Sequence, residues 1–170
     1  EERKIYSSDL DGENFREIAS LPEGLSSNVQ CKVSYDNDKL LCFDYHRLAV
    51  ISLEKDNKLL GSDSYIIMDY PERRIMDVFW HSDNYHLVLV TDKNIEVLES
   101  KKQGAPVNLV NLNKRYIPVY YVPDTDTLYF TDSERAADGK VYDNVYKLEL
   151  GNSIFYNLQN MIKPRTNEKE

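Results

Sequence analysis

Ser34-Tyr-Asp-Asn-Asp-Lys-Leu-Leu-Cys-Phe43 recurs twice in altered form, as His81-Ser-Asp-Asn-Tyr-His-Leu-Val-Leu-Val90 and Val122-Pro-Asp-Thr-Asp-Thr-Leu-Tyr-Phe-Thr131. Asp36, Asp83 and Asp124 anchor the three copies, each with a leucine four residues on (Leu40, Leu87, Leu128). The anchors stand 47 and 41 residues apart. A self-similar period of about 40 to 50 residues, carried by short strands, points to propeller blades. Each phrase reads as a hairpin, because Asx-rich turn residues separate two runs of strand-forming side chains. The repeated aspartates are expected to cap these turns by accepting backbone N–H bonds.

Working outward from each anchor gives four strands per unit. The first unit is expected at 29–33, 40–44, 48–53 and 65–68. The second is expected at 75–80, 87–91, 95–99 and 107–112, and the third at 117–121, 128–132, 145–150 and 154–158. Alternation with period two supports the assignments. One face of each innermost strand is apolar: Val29, Cys31 and Val33, then Met76, Val78 and Trp80, then Ile117, Val119 and Tyr121. The second strands are apolar on both faces, as strands buried between two layers are. The segment from Lys4 to Gly12 matches the third strand of the later units, and Phe15 to Leu21 matches a fourth.

The expected fold class is therefore all-β, a β-propeller of four-stranded antiparallel blades with about three and a half blades in this chain. The half blade covers 1–23 and the blades 27–70, 74–113 and 115–159, together one propeller segment over 1–160. The best helical stretch is short, 157–162, and 161–170 is a polar tail. Three and a half blades leave sheet faces open. The chain is expected to be a fragment of a longer protein, with an assembly and a ring completed by a partner chain as the other solutions.

The 170 residues are 41% hydrophobic and carry a formal charge of −8, with 13 tyrosines. An acidic chain lacks the basic footprint that nucleic-acid backbones require, so no nucleic-acid partner is expected. No apolar run reaches the roughly 18 residues that span a bilayer, so no membrane insertion by this segment is expected. Cys31 and Cys42 face each other if the turn centres on Asp36 and Asn37, which makes a bridge sterically conceivable. The repeat places valines at the position of Cys31 and Leu89 and Phe130 at that of Cys42. Two buried thiols acting as small hydrophobes are the favoured expectation.

The repeats resemble the TolB-like (WD40-like, PD40) propeller family. Trp80-His-Ser-Asp-Asn-Tyr-His-Leu-Val-Leu89 is similar to its "W-S-P-D-G-x-x-I-a-F" phrase, with Asn84 in place of Gly. Ile5-Tyr-Ser-Ser-Asp-Leu-Asp-Gly12 is similar to its "I-y-x-x-d-l-D-G" phrase. A lesser likeness to YWTD propellers runs through Tyr129-Phe-Thr-Asp132 and Asp9-Leu-Asp-Gly12. Phrases such as the one around Trp80 also look like those of bacterial envelope propeller proteins. The resemblance implies a non-catalytic scaffold for protein or ligand binding, placed outside the cytoplasm at a cell envelope. The alternatives are an accessory, substrate-gating domain of a larger hydrolase and a structural subunit.

Catalytic motifs are not found. Asp9 to Asn14 lacks the terminal bidentate glutamate of a calcium loop and reads as an Asp-Gly hairpin turn. His81 and His86 flank one turn without further metal ligands at matching spacing, and read as solvated turn residues. There is no G-x-S-x-G elbow and no phosphate loop. No catalytic residue, metal or cofactor is expected. The remaining signal is one rim of the propeller, reached by the 2–3 and 4–1 connections. It gathers Tyr45, His46, Arg47, Arg73, Arg74, Lys114, Arg115 and Tyr116. The long insertion 133–144, with Arg135, reaches the same rim. A cationic spot on an acidic chain suits an acidic peptide or glycan. The partner is expected to be a protein, peptide or glycan, or the remaining blades of the same propeller on this or another chain.

Overall fold

The computed structural model describes residues 3–53, 65–101 and 105–151. Among these, all regular structure is β apart from one 3-10 turn, Pro123–Thr125. The strands are β1 (Lys4–Ser7), β2 (Arg16–Ser20), β3 (Gln30–Val33), β4 (Lys39–Phe43), β5 (Arg47–Ser52), β6 (Tyr65–Asp69), β7 (Ile75–Trp80), β8 (His86–Thr91), β9 (Asn94–Glu99), β10 (Val107–Asn111), β11 (Val119–Val122), β12 (Thr127–Arg135) and β13 (Val141–Glu149). They form four antiparallel sheets, each a simple meander: β1-β2, β3-β4-β5-β6, β7-β8-β9-β10 and β11-β12-β13. The all-β expectation is met. The strand and helix expected at 154–158 and 157–162, and the tail at 161–170, lie outside the described residues. The chain divides into two compact units, Glu1–Tyr116 and Ile117–Glu170.

In the first unit three sheets stack face to face. Alternation sends Leu41, Phe43, Leu48, Val50, Ile66 and Met68 to one face of the β3–β6 sheet. They meet Val78, Trp80, Leu87, Leu89 and Leu98 of the next sheet in one buried cluster. The other face carries Leu40, Cys42, Ala49 and Ile51 and packs on Ile5, Ala19 and Leu21 of the β1-β2 hairpin. Both faces of β4 and β5 are thus covered, which is why these strands read as unbroken apolar runs. Burial of a leucine-sized side chain here stabilises by roughly 1.5–3 kcal/mol relative to exposure.

Polar contacts tie the two four-stranded sheets together at their innermost strands. The Trp80 indole Nε1–H donates to the Lys32 carbonyl at 3.0 Å. The Lys32 ammonium lies 2.5 Å from Asp77 Oδ1 and 4.2 Å from the Phe79 ring centroid. The repeated turns continue this seam. Asn37 and Asn84 hold the left-handed position of these turns, at φ 61° and 57°. Asparagine tolerates that region. Asn84 also does what glycine cannot: its Oδ1 accepts the Tyr35 N–H of the preceding turn at 2.8 Å.

Several expectations are corrected. Cys31 and Cys42 are not two buried thiols. They are directly paired in the β3–β4 register and form a disulfide, with 4.1 Å between their Cα atoms. Cys42 is fully buried, but Cys31 is exposed, as is Val33 at 46%. The innermost face of the first sheet is therefore open, unlike the equivalent Val78 and Trp80. The reason is the two-stranded hairpin beside it. It reaches the core positions of β4–β6 but has no strands to lay over β3. The insertion 133–144 is not an irregular loop. Its residues continue the β12–β13 ladder without a break to Arg135↔Val141, and Gly139 at φ +84° closes the turn.

The third turn also departs from its siblings. Threonine follows Asp124, and a β-branched residue does not take up the left-handed region readily. The left-handed residue is Asp126, at φ 45°, whose carboxylate accepts the Tyr121 hydroxyl at 2.5 Å. Asp36 and Asp83 act as the expected caps, whereas Asp124 is exposed in the 3-10 turn.

Replacing Leu41, at the centre of the inter-sheet cluster, by alanine should cost about 3 kcal/mol in equilibrium denaturation. Tyr120→Ala, at an exposed position of the β11–β13 sheet, should change stability by no more than about 0.5 kcal/mol.

Candidate functional site

The 44–47 turn and the 70–75 connection build the rim from backbone upward. Asp44 Oδ1 accepts the N–H groups of His46 and Arg47, both at 2.8 Å, and its Oδ2 accepts the Ser26 N–H at 2.7 Å. These bonds hold the Asp44 carboxyl below its ordinary pKa, although burial acts to raise it. The Tyr45 carbonyl accepts the Ile75 N–H of the next sheet at 2.8 Å, and the His46 carbonyl accepts the Tyr70 N–H at 2.7 Å, extending the β5–β6 ladder. Arg74 is fixed on both sides by Asp92: its N–H donates to Asp92 Oδ1 at 3.0 Å, and the Asp92 N–H donates to its carbonyl at 2.9 Å.

The rim cations have three different fates. Arg47 is structural: its Nε donates to Asp69 at 2.6 Å and its Nη1 to the Gly24 carbonyl at 2.6 Å. Arg73 turns inward and pairs with Glu96, a carboxylate only 3% exposed. Asn94 Nδ2 adds a bond to the same oxygen at 2.7 Å. Tyr70 beside them has its phenol pushed up to about 12, by burial first and by the Glu96 charge second. His46 Nδ1 lies 3.2 Å from the Arg73 carbonyl oxygen. Because that oxygen only accepts, the ring nitrogen donates.

Arg74 differs. Its guanidinium stacks on Tyr45, 4.0 Å from the ring centroid, and stands 5.7 Å from the Tyr116 centroid. Nη1 is 3.4 Å from the Tyr116 hydroxyl. Its Nε is buried without a hydrogen-bond partner, and no carboxylate among the described residues pairs with it. Tyr45 is 50% exposed and Tyr116 63%. Tyr45 also borders a cleft lined by Val29, Phe43, Ile75 and Met76. Of the sequence-derived candidates the structure therefore joins Tyr45, Arg74 and Tyr116. Arg115 is exposed beside Tyr116, and Lys114 is half-buried. Arg135 belongs to the second unit and is exposed at the end of β12.

Sequence reasoning missed one cluster. His81 and His86 are not solvated turn residues. His81 is 3% exposed, and both rings approach Asp83, His81 Nδ1 at 3.2 Å and His86 Nδ1 at 2.6 Å. Asp83 also accepts the N–H groups of Tyr85 (2.8 Å) and His86 (3.0 Å). Burial acts to raise the Asp83 carboxyl, but the two imidazoles and two backbone donors outweigh it and hold it far below the usual range. The spacing His81-x-Asp83-x-x-His86 was visible. It did not show that His81 is buried.

No protein-family model matches the chain, and no curated protein matches it. Among solved structures, a chain of the yeast heterotrimeric Nup82-Nup159-Nup116 nucleoporin complex is similar, with 15% identity and a TM-score of 0.50. The match covers 74% of this chain and 33% of that one, so this chain spans about a third of the length of the protein it matches. At this identity the likeness is one of fold alone, a β-rich architecture.

Arg73→Ala strips a buried carboxylate of its partner and should cost about 3 kcal/mol. Arg74→Ala, which leaves no carboxylate behind, should cost under about 1 kcal/mol; denaturation curves of both variants check the contrast. Asp83 has a folded pKa below its unfolded value of about 3.9. Its stabilisation is therefore fully present above that pH and lost as pH falls through the lowered folded pKa. Asp83→Asn should be markedly destabilising at pH 7, and the gap to the parent should narrow as acid denaturation is approached.

Proposed function

We propose that this chain is part of a β-propeller of the TolB-like kind, acting as a non-catalytic scaffold that binds a protein, peptide or other ligand at a cell envelope. The observation that carries the binding reading is the Tyr45–Arg74–Tyr116 cluster. A cation held by its own backbone between two exposed tyrosine rings, with no acid among the described residues to satisfy it, suits an external anion. The stacked four-stranded meanders of 30–69 and 75–111, each opened by the repeated turn, support the propeller reading. The Cys31–Cys42 disulfide supports an oxidising, extracytoplasmic setting, where such bonds persist.

A second reading, a structural segment whose ring is completed by further blades or another chain, is favoured by a specific feature of the β11–β13 sheet. The repeat equates Tyr120, Tyr129, Thr131, Val145 and Lys147 with Lys32, Leu41, Phe43, Leu48 and Val50 of the first sheet. In the first sheet that face seats the next sheet. In the third it is open, with Tyr120 69% and Val145 74% exposed. Tyrosine, threonine and lysine in place of aliphatic residues suit a contact that is also stable when wet.

The scaffold reading is tested by light scattering and surface binding on the same preparation. A monomer that retains acidic peptides supports it. A stable oligomer whose formation is abolished by Tyr120→Asp, with no peptide retained, supports the structural reading instead.

A further inference from the structure

We infer that the Arg74 cluster and the adjoining cleft form one composite site for an extended peptide carrying an acidic residue next to an apolar one. The inference deepens the scaffold reading and rests on it.

The argument starts from what Arg74 has and lacks. Five N–H donors must be satisfied on a guanidinium. Here Nε is shielded from solvent without a partner, so a planar acid can approach only at the terminal Nη edge. Nη1 is already near the Tyr116 hydroxyl at 3.4 Å, which marks where an acceptor oxygen would sit. The Tyr45 ring at 4.0 Å blocks one face of the guanidinium and fixes its plane. The result is a pre-oriented fork, and pre-orientation lowers the ordering cost of binding. Arg47 and Arg73 cannot compete: Arg47 is committed to Asp69 and Arg73 to Glu96.

The apolar half follows from continuity. Ile75 and Met76 come directly after Arg74, and with Val29, Phe43 and the shared Tyr45 they supply the apolar part of a cleft of about 260 Å³ to which Asn28 and Gln30 also contribute. That volume suits one aliphatic or aromatic side chain rather than a whole small-molecule ligand. Asp44 also lines it, with three backbone N–H groups on its carboxylate. An acid set directly in the cleft would meet Asp44, so the acidic and apolar groups must be neighbours, not the same residue. A cleft of side-chain size beside the cation favours a peptide over an anionic glycan, which has no side chain to place there.

The test is retention of a randomised hexapeptide library on the full 170-residue chain, read for residue enrichment, with a hyaluronate oligosaccharide as the non-peptide probe. The expected result is joint enrichment of Asp or Glu beside Leu, Ile, Met or Phe. Arg74→Gln should lower the acid enrichment at least tenfold and leave the apolar preference. Met76→Asp should do the reverse. Tyr116→Phe, which keeps the ring, should weaken retention only a few-fold. Each variant is checked by circular dichroism for its β signature. Peptides retained without acid enrichment, or with an enrichment that Arg74→Gln leaves intact, overturn this inference while sparing the scaffold reading. No retained peptide at all overturns both, and retention of hyaluronate alone overturns the peptide assignment.

Discussion

The structure of the first unit depends on one inter-sheet seam. Two four-stranded meanders bury their facing aliphatic rows, and at their innermost strands three polar contacts set the alignment: Trp80 to the Lys32 carbonyl, Lys32 to Asp77, and Asn84 to the Tyr35 amide. The apolar rows supply most of the stabilisation, since burial scales with area and is indifferent to register. The polar contacts supply direction. Each has one geometry, and a sheet displaced by two residues would lose all of them. The rim cluster is a consequence. Tyr45 and Arg74 sit on successive sheets, and they meet because the seam aligns the two turns that carry them.

The seam also explains why neighbouring arginines behave differently. Arg73 points toward the stacked faces and neutralises Glu96, a carboxylate that the stacking has removed from water. Arg74 points outward along the rim and finds tyrosine rings in place of an acid. A buried ion pair of the first kind adds little net stability but is costly to break. A cation of the second kind costs little to remove.

Much of the architecture was legible in the sequence. The repeated phrase located the hairpins and, through its turn, the Cys31↔Cys42 register; alternation located the strands. What the repeat could not convey was context at its own boundaries. Cys31 occupies a position that is core in the second sheet, yet it is exposed because its neighbour is a hairpin and not a full sheet. The histidines were hidden as well: His81 looks like a turn residue, yet it is buried beside Asp83 and His86. The disulfide was missed for a related reason. Equivalence with Val78 and Val119 suggested a packing role, but packing was absent on that side, and a cross-link holds the edge strand where burial does not. For the candidate site, residue types and rim placement could be read, and the sorting of cations could not. Whether an arginine meets Glu96 or Tyr45 is decided by the side chain's direction at the end of β6 and the start of β7, which no linear pattern records.

The seam is the account's central claim, and Trp80 reports on it directly. It is the only tryptophan in the chain, so its indole N–H gives a single, assignable signal in a two-dimensional nitrogen–proton spectrum. The account predicts a slowly exchanging indole proton with nuclear Overhauser contacts to Lys32 and Val33 across the two sheets. An indole proton that exchanges at the rate of an unstructured peptide, with no contacts to β3, would contradict it.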